Sequence, residues 1–145
     1  MFKRILLPTD GSELSLRAVD MGLELASSLH ASVYGFHVIP PTPTLAYFAD
    51  IALADADCVL EQTEAFAQQC LDTIQKRAAA AGVAYEGSTV VEQHAANAIV
   101  AVAQQQACDL IVMASHGWQG FDRLLLGSET HKVIIHGIMP VLVVR

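Results

Sequence analysis

Short apolar runs alternate along this chain with longer stretches of helical periodicity, and no other feature restricts its fold as much. Alternation of that kind marks βαβ units, in which helices cover both faces of a parallel sheet. Residues 3–8 read as the first strand. The next pattern, about 12–30, sets Leu14, Ala18, Met21, Leu25 and Leu29 at three- and four-residue steps, which predicts a helix with that face inward. Strand two follows at about 32–39. Pro40-Pro41-Thr42-Pro43 then opens a long connection over 40–55, because proline neither donates to a ladder nor continues a helix.

A second helix is expected from about 56 to 81 on Val59, Phe66, Cys70, Ile74 and Ala78, with Gly82 as its stop. Strand three, about 84–91, is half polar and suits a sheet edge. A helix over about 94–106, a strand over 109–114, a helix from Ser128 to His136 and a last strand opened by Pro140 complete the series. The expectation is one α/β domain over residues 1–145, an open five-stranded parallel sheet with helices on both faces. A chain of 145 residues can bury an ordinary core without metal or disulfide support.

Charge and composition narrow the function. A net charge of -7, with eight scattered Lys and Arg, argues against a nucleic-acid partner. No apolar stretch approaches the roughly 18 residues of a membrane span. Met1-Phe2-Lys3-Arg4 runs straight into a strand, so no leader is read there. Cys58, Cys70 and Cys108 lack C-x-x-C spacing and read as buried thiols in a reducing compartment, which makes a cytoplasmic protein the expectation. With so few cations, a polyanionic ligand would be held mainly by backbone N–H groups and a divalent ion.

Chemistry concentrates between Met113 and Ser128, which reads Met-Ala-Ser-His-Gly-Trp-Gln-Gly-Phe-Asp-Arg-Leu-Leu-Leu-Gly-Ser. Gly117 and Gly127 bracket nine residues, and Ser128 begins the last helix. Free N–H groups and the positive end of the helix dipole favour an anion at such a terminus. The plainer alternative makes both glycines turn residues and Ser128 a helix N-cap.

The stretch resembles the ATP-binding branch of the universal stress protein family, whose Gly-x2-Gly-x9-Gly-Ser/Thr loop wraps nucleotide phosphates. Gly117, Gly127 and Ser128 fall on its last three fixed positions. Ala114 falls on the first, where that branch has Gly. The likeness extends to Ile5 through Asp10, His37-Val38, Ser115-His116-Gly117, Leu124 through Ser128, and Pro140 through Val144. It implies the strand order 3-2-1-4-5, with the first and fourth strands adjacent at the topological switch point where ligands bind. It also implies ATP or ADP, with Mg²⁺, held by Pro8, Thr9, Asp10, Val38, Met113, Ala114, Ser115, His116, Gly117, Gly127, Ser128 and Glu129. Asp10 would lie near the ribose, and Val38 would offer its backbone to the adenine edge. A homodimer through residues 141–144 is implied too, since an apolar edge strand invites pairing.

Other readings stand beside these. Asp10 with Glu13 would form a helix capping box. His116 would line the loop, for no nucleophile motif, P-loop lysine or G-x-G-x-x-G accompanies it. His131 and His136, five apart, point to different helix faces and make no metal pair. Arg123 and Lys132 read as surface charge, and Trp118 and Phe121 as a hydrophobic cover. Three functions stay open: an ATP-binding regulator of the stress response with an unidentified protein partner, a dimeric interaction module without ligand, and a slow ATPase or nucleotidyl transferase.

Overall fold

The computed structural model describes residues 1–41, 56–117 and 126–145. Strands β1 (Arg4–Pro8), β2 (Ser32–Ile39), β3 (Tyr85–Val91), β4 (Leu110–Ala114) and β5 (Val141–Val144) form one parallel sheet in the order β3-β2-β1-β4-β5. The helices between them are α1 (Glu13–Leu29), α2 (Ala56–Ala80), α3 (Ala95–Gln105) and α4 (Ser128–His136). Each expected element is present, with ends shifted by no more than two residues.

Strand parity explains why the central runs are apolar throughout. Ile5, Leu7, Leu110, Val112 and Ala114 point into a core shared with α1 and α2. Leu6, Ile111 and Met113 point the opposite way, into a core shared with Ala96, Ile99 and Val102 of α3 and Val133 of α4. Ile5, Leu6 and Leu7 are wholly buried, each contributing about 1.5–3 kcal/mol to the folded state. β3, at one edge, is mostly exposed, as its mixed polarity predicts.

The inward face of α1 differs from the expected one. Ser15, Ala18, Val19, Gly22, Leu23 and Ala26 are buried, whereas Met21 is 45% exposed. The row Ala18, Gly22, Ala26 explains the rotation: small residues four apart let the helix axis approach the sheet. An added Cβ at Gly22 would strike Leu7. Leu14, Leu25 and Leu29 pack at the flanks. In α2, Ala67, Cys70, Leu71, Ile74 and Ala78 face the core, while Phe66 is only partly covered, at 41% exposed. Gly82 ends that helix region with φ +67, a left-handed conformation suited to glycine. Of the three thiols, Cys70 and Cys108 are buried, but Cys58, near the start of α2, is exposed and departs from expectation. Burial pushes the Cys70 thiol up to about 11, with the Asp10 charge adding to it.

Candidate functional site

Where β1 and β4 end side by side, the crossovers to α1 and α4 leave on opposite faces of the sheet and a cleft opens between them. Its volume is about 570 Å³.

One wall is the β1–α1 turn. Pro8, Thr9 and Asp10 line the cleft. The Thr9 N–H donates to the Phe36 carbonyl at 2.9 Å, and its hydroxyl lies 2.9 Å from that of Ser15. The Ser12 N–H donates to Asp10 Oδ1 at 2.9 Å. Ser12, not Asp10, caps α1: its Oγ accepts from the Ser15 N–H at 3.2 Å. The expected pairing of Asp10 with Glu13 gives way to one between Ser12 and Ser15, whose hydroxyl donates to the Ser12 carbonyl at 2.9 Å. Asp10 instead closes an Asx turn one step earlier.

The facing wall is built from the end of β4 and the start of α4. Met113, Ala114, His116 and Gly117 reach the cleft from one side, and Gly127, Ser128 and Glu129 from the other. The two stretches are stitched by the Gly127 N–H to the Ser115 carbonyl at 2.8 Å and by Thr130 Oγ1 to the Ala114 carbonyl at 2.9 Å. Gly127 sits so close that an added Cβ would lie 2.7 Å from the Ser115 oxygen. At Gly117 the obstacle would be Asp10 Oδ2, at 2.5 Å, so this glycine is where the two walls meet. Ser115 is buried behind the cleft rather than lining it. Its N–H goes to the Val144 carbonyl at 2.7 Å and its hydroxyl pairs with His116 Nδ1 at 2.8 Å. The other ring nitrogen of His116, Nε2, is buried and has no hydrogen-bond partner among the described residues.

The Glu129 carboxylate is turned toward the start of α3. Its Oε2 accepts from the Ala96 N–H at the start of α3, 2.8 Å away, and its Oε1 meets Lys132 Nζ at 2.8 Å. Burial opposes the charge, but these hydrogen bonds outweigh it and hold the carboxyl below the usual range. Lys132 is therefore engaged on the helix surface. Val38 lines the cleft, joined by Phe36, Ile99, Gln93, Ala95 and Thr130, which the sequence alone did not mark. A signal for Phe36 existed in β2 parity, since it alternates with His37 and shares a face with Val38. Gln93 and Ala95 carry no local signal; the β3–α3 crossover brings them in. Trp118, Phe121 and Arg123 lie outside the described residues. Among the described residues no group of His, Cys, Asp and Glu is arranged for a metal ion, and no helix is long and apolar enough to cross a membrane.

The family model described as "Universal stress protein family" matches residues 1–145. The chain belongs to that family. Universal stress protein MJ0531 of Methanocaldococcus jannaschii is 34% identical over 145 residues, covering 100% of this chain and 83% of the relative. Among solved structures, MJ0577 superposes with a TM-score of 0.78 at 29% identity, over 99% of this chain and 96% of the other. A universal stress protein in complex with cAMP superposes with a TM-score of 0.73 at 28% identity, over 99% and 97%. In this universal stress protein, accordingly, the 3-2-1-4-5 sheet with its flanking helices belongs to a shared architecture.

Proposed function

We propose that this protein binds an adenine nucleotide, ATP or ADP with Mg²⁺, in the cleft between β1 and β4, and acts in the cytoplasm as a regulatory nucleotide binder in the stress response rather than as an enzyme. The observation that carries the reading is the convergence of the Thr9–Asp10 turn, Gly117 and the α4 N-terminus on one cleft. About 570 Å³ falls within the usual range for small-molecule sites, roughly 300–1,000 Å³. His116 lines that cleft, and its buried Nε2 has no hydrogen-bond partner among the described residues, as a site with a polar ligand would leave it. A similar protein of this family has been solved with cAMP.

Roles follow from chemistry and from the family resemblance. Asp10 accepts from ribose hydroxyls, the main chain of Val38 meets the adenine edge, and the amides at Ser128 and Glu129 receive phosphate, with Gly127 giving them close approach. Among the described residues lining the cleft the charged side chains are Asp10 and Glu129, both acidic. Mg²⁺ would supply the positive charge that a triphosphate needs there. Ala114 fits this arrangement: strand parity buries its methyl in the α1-side core with Val112, leaving its main chain toward the cleft.

Mass spectrometry of small molecules released from gently purified protein, followed by calorimetric titration with ATP and Mg²⁺, tests the reading. Bound ATP or ADP near one per chain is expected. An empty protein that also fails to titrate would leave an interaction module, and rapid turnover would make it an enzyme.

A homodimer through Val141–Val144 is part of the proposal. β5 is an edge strand with Leu142 exposed, and Ile134, Ile135 and Ile138 are exposed on the neighbouring helix and turn. Two such edges meeting about a twofold axis would cover this surface. Light scattering should show a dimer at micromolar concentration, and Val143→Lys should yield monomer or insoluble protein. A wild-type monomer, or a dimeric Val143→Lys protein, sinks the idea.

A further inference from the structure

His37 stands in β2 immediately before Val38, yet its side chain is on the other face of the sheet from the cleft. It is 5% exposed, edge-on to the Phe66 ring of α2 at 5.7 Å between centroids, and its Nδ1 lies 2.8 Å from the Thr9 carbonyl oxygen. A carbonyl only accepts, so Nδ1 carries the hydrogen.

The backbone ladder gives that bond its meaning. Polar groups of successive strand residues point to alternate neighbours. The Val33 N–H and the Ile39 carbonyl bond on the β3 side, to Ala84 and Glu92. The Phe36 carbonyl bonds on the β1 side, to the Thr9 N–H at 2.9 Å. Parity therefore turns the N–H and C=O of Val38 toward β1, at the level where β1 has already left the sheet. In a continued parallel ladder the next rung would run from the Val38 N–H to the Thr9 carbonyl. Among the described residues that rung is not made; the carbonyl takes its hydrogen from the His37 imidazole instead.

We propose that His37 is a positioning residue that ends the β1–β2 ladder: by occupying the Thr9 carbonyl it keeps the main-chain N–H and C=O of Val38 open at the cleft, where they read the edge of the base. The recognition half of this proposal rests on the nucleotide reading given above. The same bond anchors Thr9 just before Asp10. The turn that presents Asp10 is therefore set by β2 and α2 as well as by the local bonds to Ser12 and Ser15. A histidine buried merely for packing would need none of this, and phenylalanine would serve as well.

The chemistry selects the variants. Asn carries an amide nitrogen at the position of Nδ1, Gln carries it one atom further out, and Phe fills the space without a donor. In the ligand-free protein, amide hydrogen exchange should show Val38 exchanging at least about tenfold faster than Phe36, and becoming protected in His37→Phe as the vacated Thr9 carbonyl captures it. With ligand, His37→Asn should bind adenosine nucleotides as wild type does. His37→Gln and His37→Phe should bind about tenfold more weakly and lose most of their preference for adenine over guanine, the scale of one missing hydrogen bond. Val38 protected to the level of Phe36 in the wild-type protein overturns the proposal without any nucleotide. So does a His37→Phe protein that keeps both affinity and base preference while the wild type binds normally. Failure of the wild type to bind any adenine nucleotide, with Val38 exchanging fast, overturns the nucleotide reading and the recognition role together.

Discussion

The two walls of the cleft are built in opposite ways. The β1–α1 wall is held largely by bonds between near neighbours: Ser12 to Asp10, Gly11 to Thr9, Ser15 to Ser12 and to Thr9. The β4–α4 wall is held by contacts across a long excursion of chain: Gly127 on the Ser115 carbonyl, Thr130 on the Ala114 carbonyl, and Glu129 on the N-terminus of α3. The first is a preformed turn whose polar groups satisfy one another, so any one bond can be lost without losing the turn. The second depends on close backbone approach at single positions, and among the described residues it leaves His116 Nε2 without a partner. Rigidity on one side and an unmet polar group on the other suit a site whose β1 side orients a ligand and whose β4 side completes its hydrogen bonding with it.

The contrast predicts unequal sensitivity to mutation. Gly127→Val should have the largest effect, since its Cβ would press on the Ser115 oxygen and the His116 Cα, both backbone. A loss of about 1–3 kcal/mol in chemical denaturation is expected from such overpacking, together with loss of nucleotide titration. A variant with wild-type stability and affinity would show the wall to be more pliant than its contacts imply.

Ala114→Gly comes next. Removing a methyl from the α1-side core and adding backbone freedom should cost about 1–2 kcal/mol, with affinity for ATP unchanged. Tighter binding in the Gly variant would mean that the methyl obstructs the ligand, contrary to its placement in the core.

On the local wall, Ser12→Ala should cost about 1 kcal/mol through loss of the α1 cap while leaving Asp10 in place. Its thermal midpoint should fall with little change in the ratio of ATP to dATP affinity. A collapsed ratio would show that the turn is less self-sufficient than its bonds suggest.

The smallest effect belongs to Glu129→Gln. The folded carboxyl is held below its ordinary range, so its contribution is present above the unfolded value of about 4.3 and is lost as pH falls through the folded one. Because the side chain is 40% exposed, solvent screening keeps that contribution under about 1 kcal/mol. Wild type should exceed Glu129→Gln slightly at pH 7 in urea denaturation, and the gap should shrink at an acidic pH as the folded carboxyl takes up its proton. An equal gap at both pH values would remove the charge from the account.

Element order and the limits of strands and helices were legible in residue order, because the periods of strand and helix, the stops at Gly82 and Pro140 and the continuous apolar runs are local signals, whereas the convergence of the two cleft motifs followed from the strand order that the family resemblance implies. They act within one or two turns of chain, and tertiary packing reinforces them here. What the tertiary structure alone decided lies at long range. Which stripe of α1 faces inward turned on a close approach between Gly22 and Leu7, so the sequence pattern favoured Met21 and the packing excluded it. The capping role passed from Asp10 to Ser12 because the exact exit of β1 sets where the helix begins. Glu129 turned to α3, and His37 to Thr9, because partners 33 and 28 residues away reached them across the sheet and between helices. A hydrogen bond is specified by geometry within a few tenths of an ångström, and residue order fixes such geometry only once the whole sheet has formed.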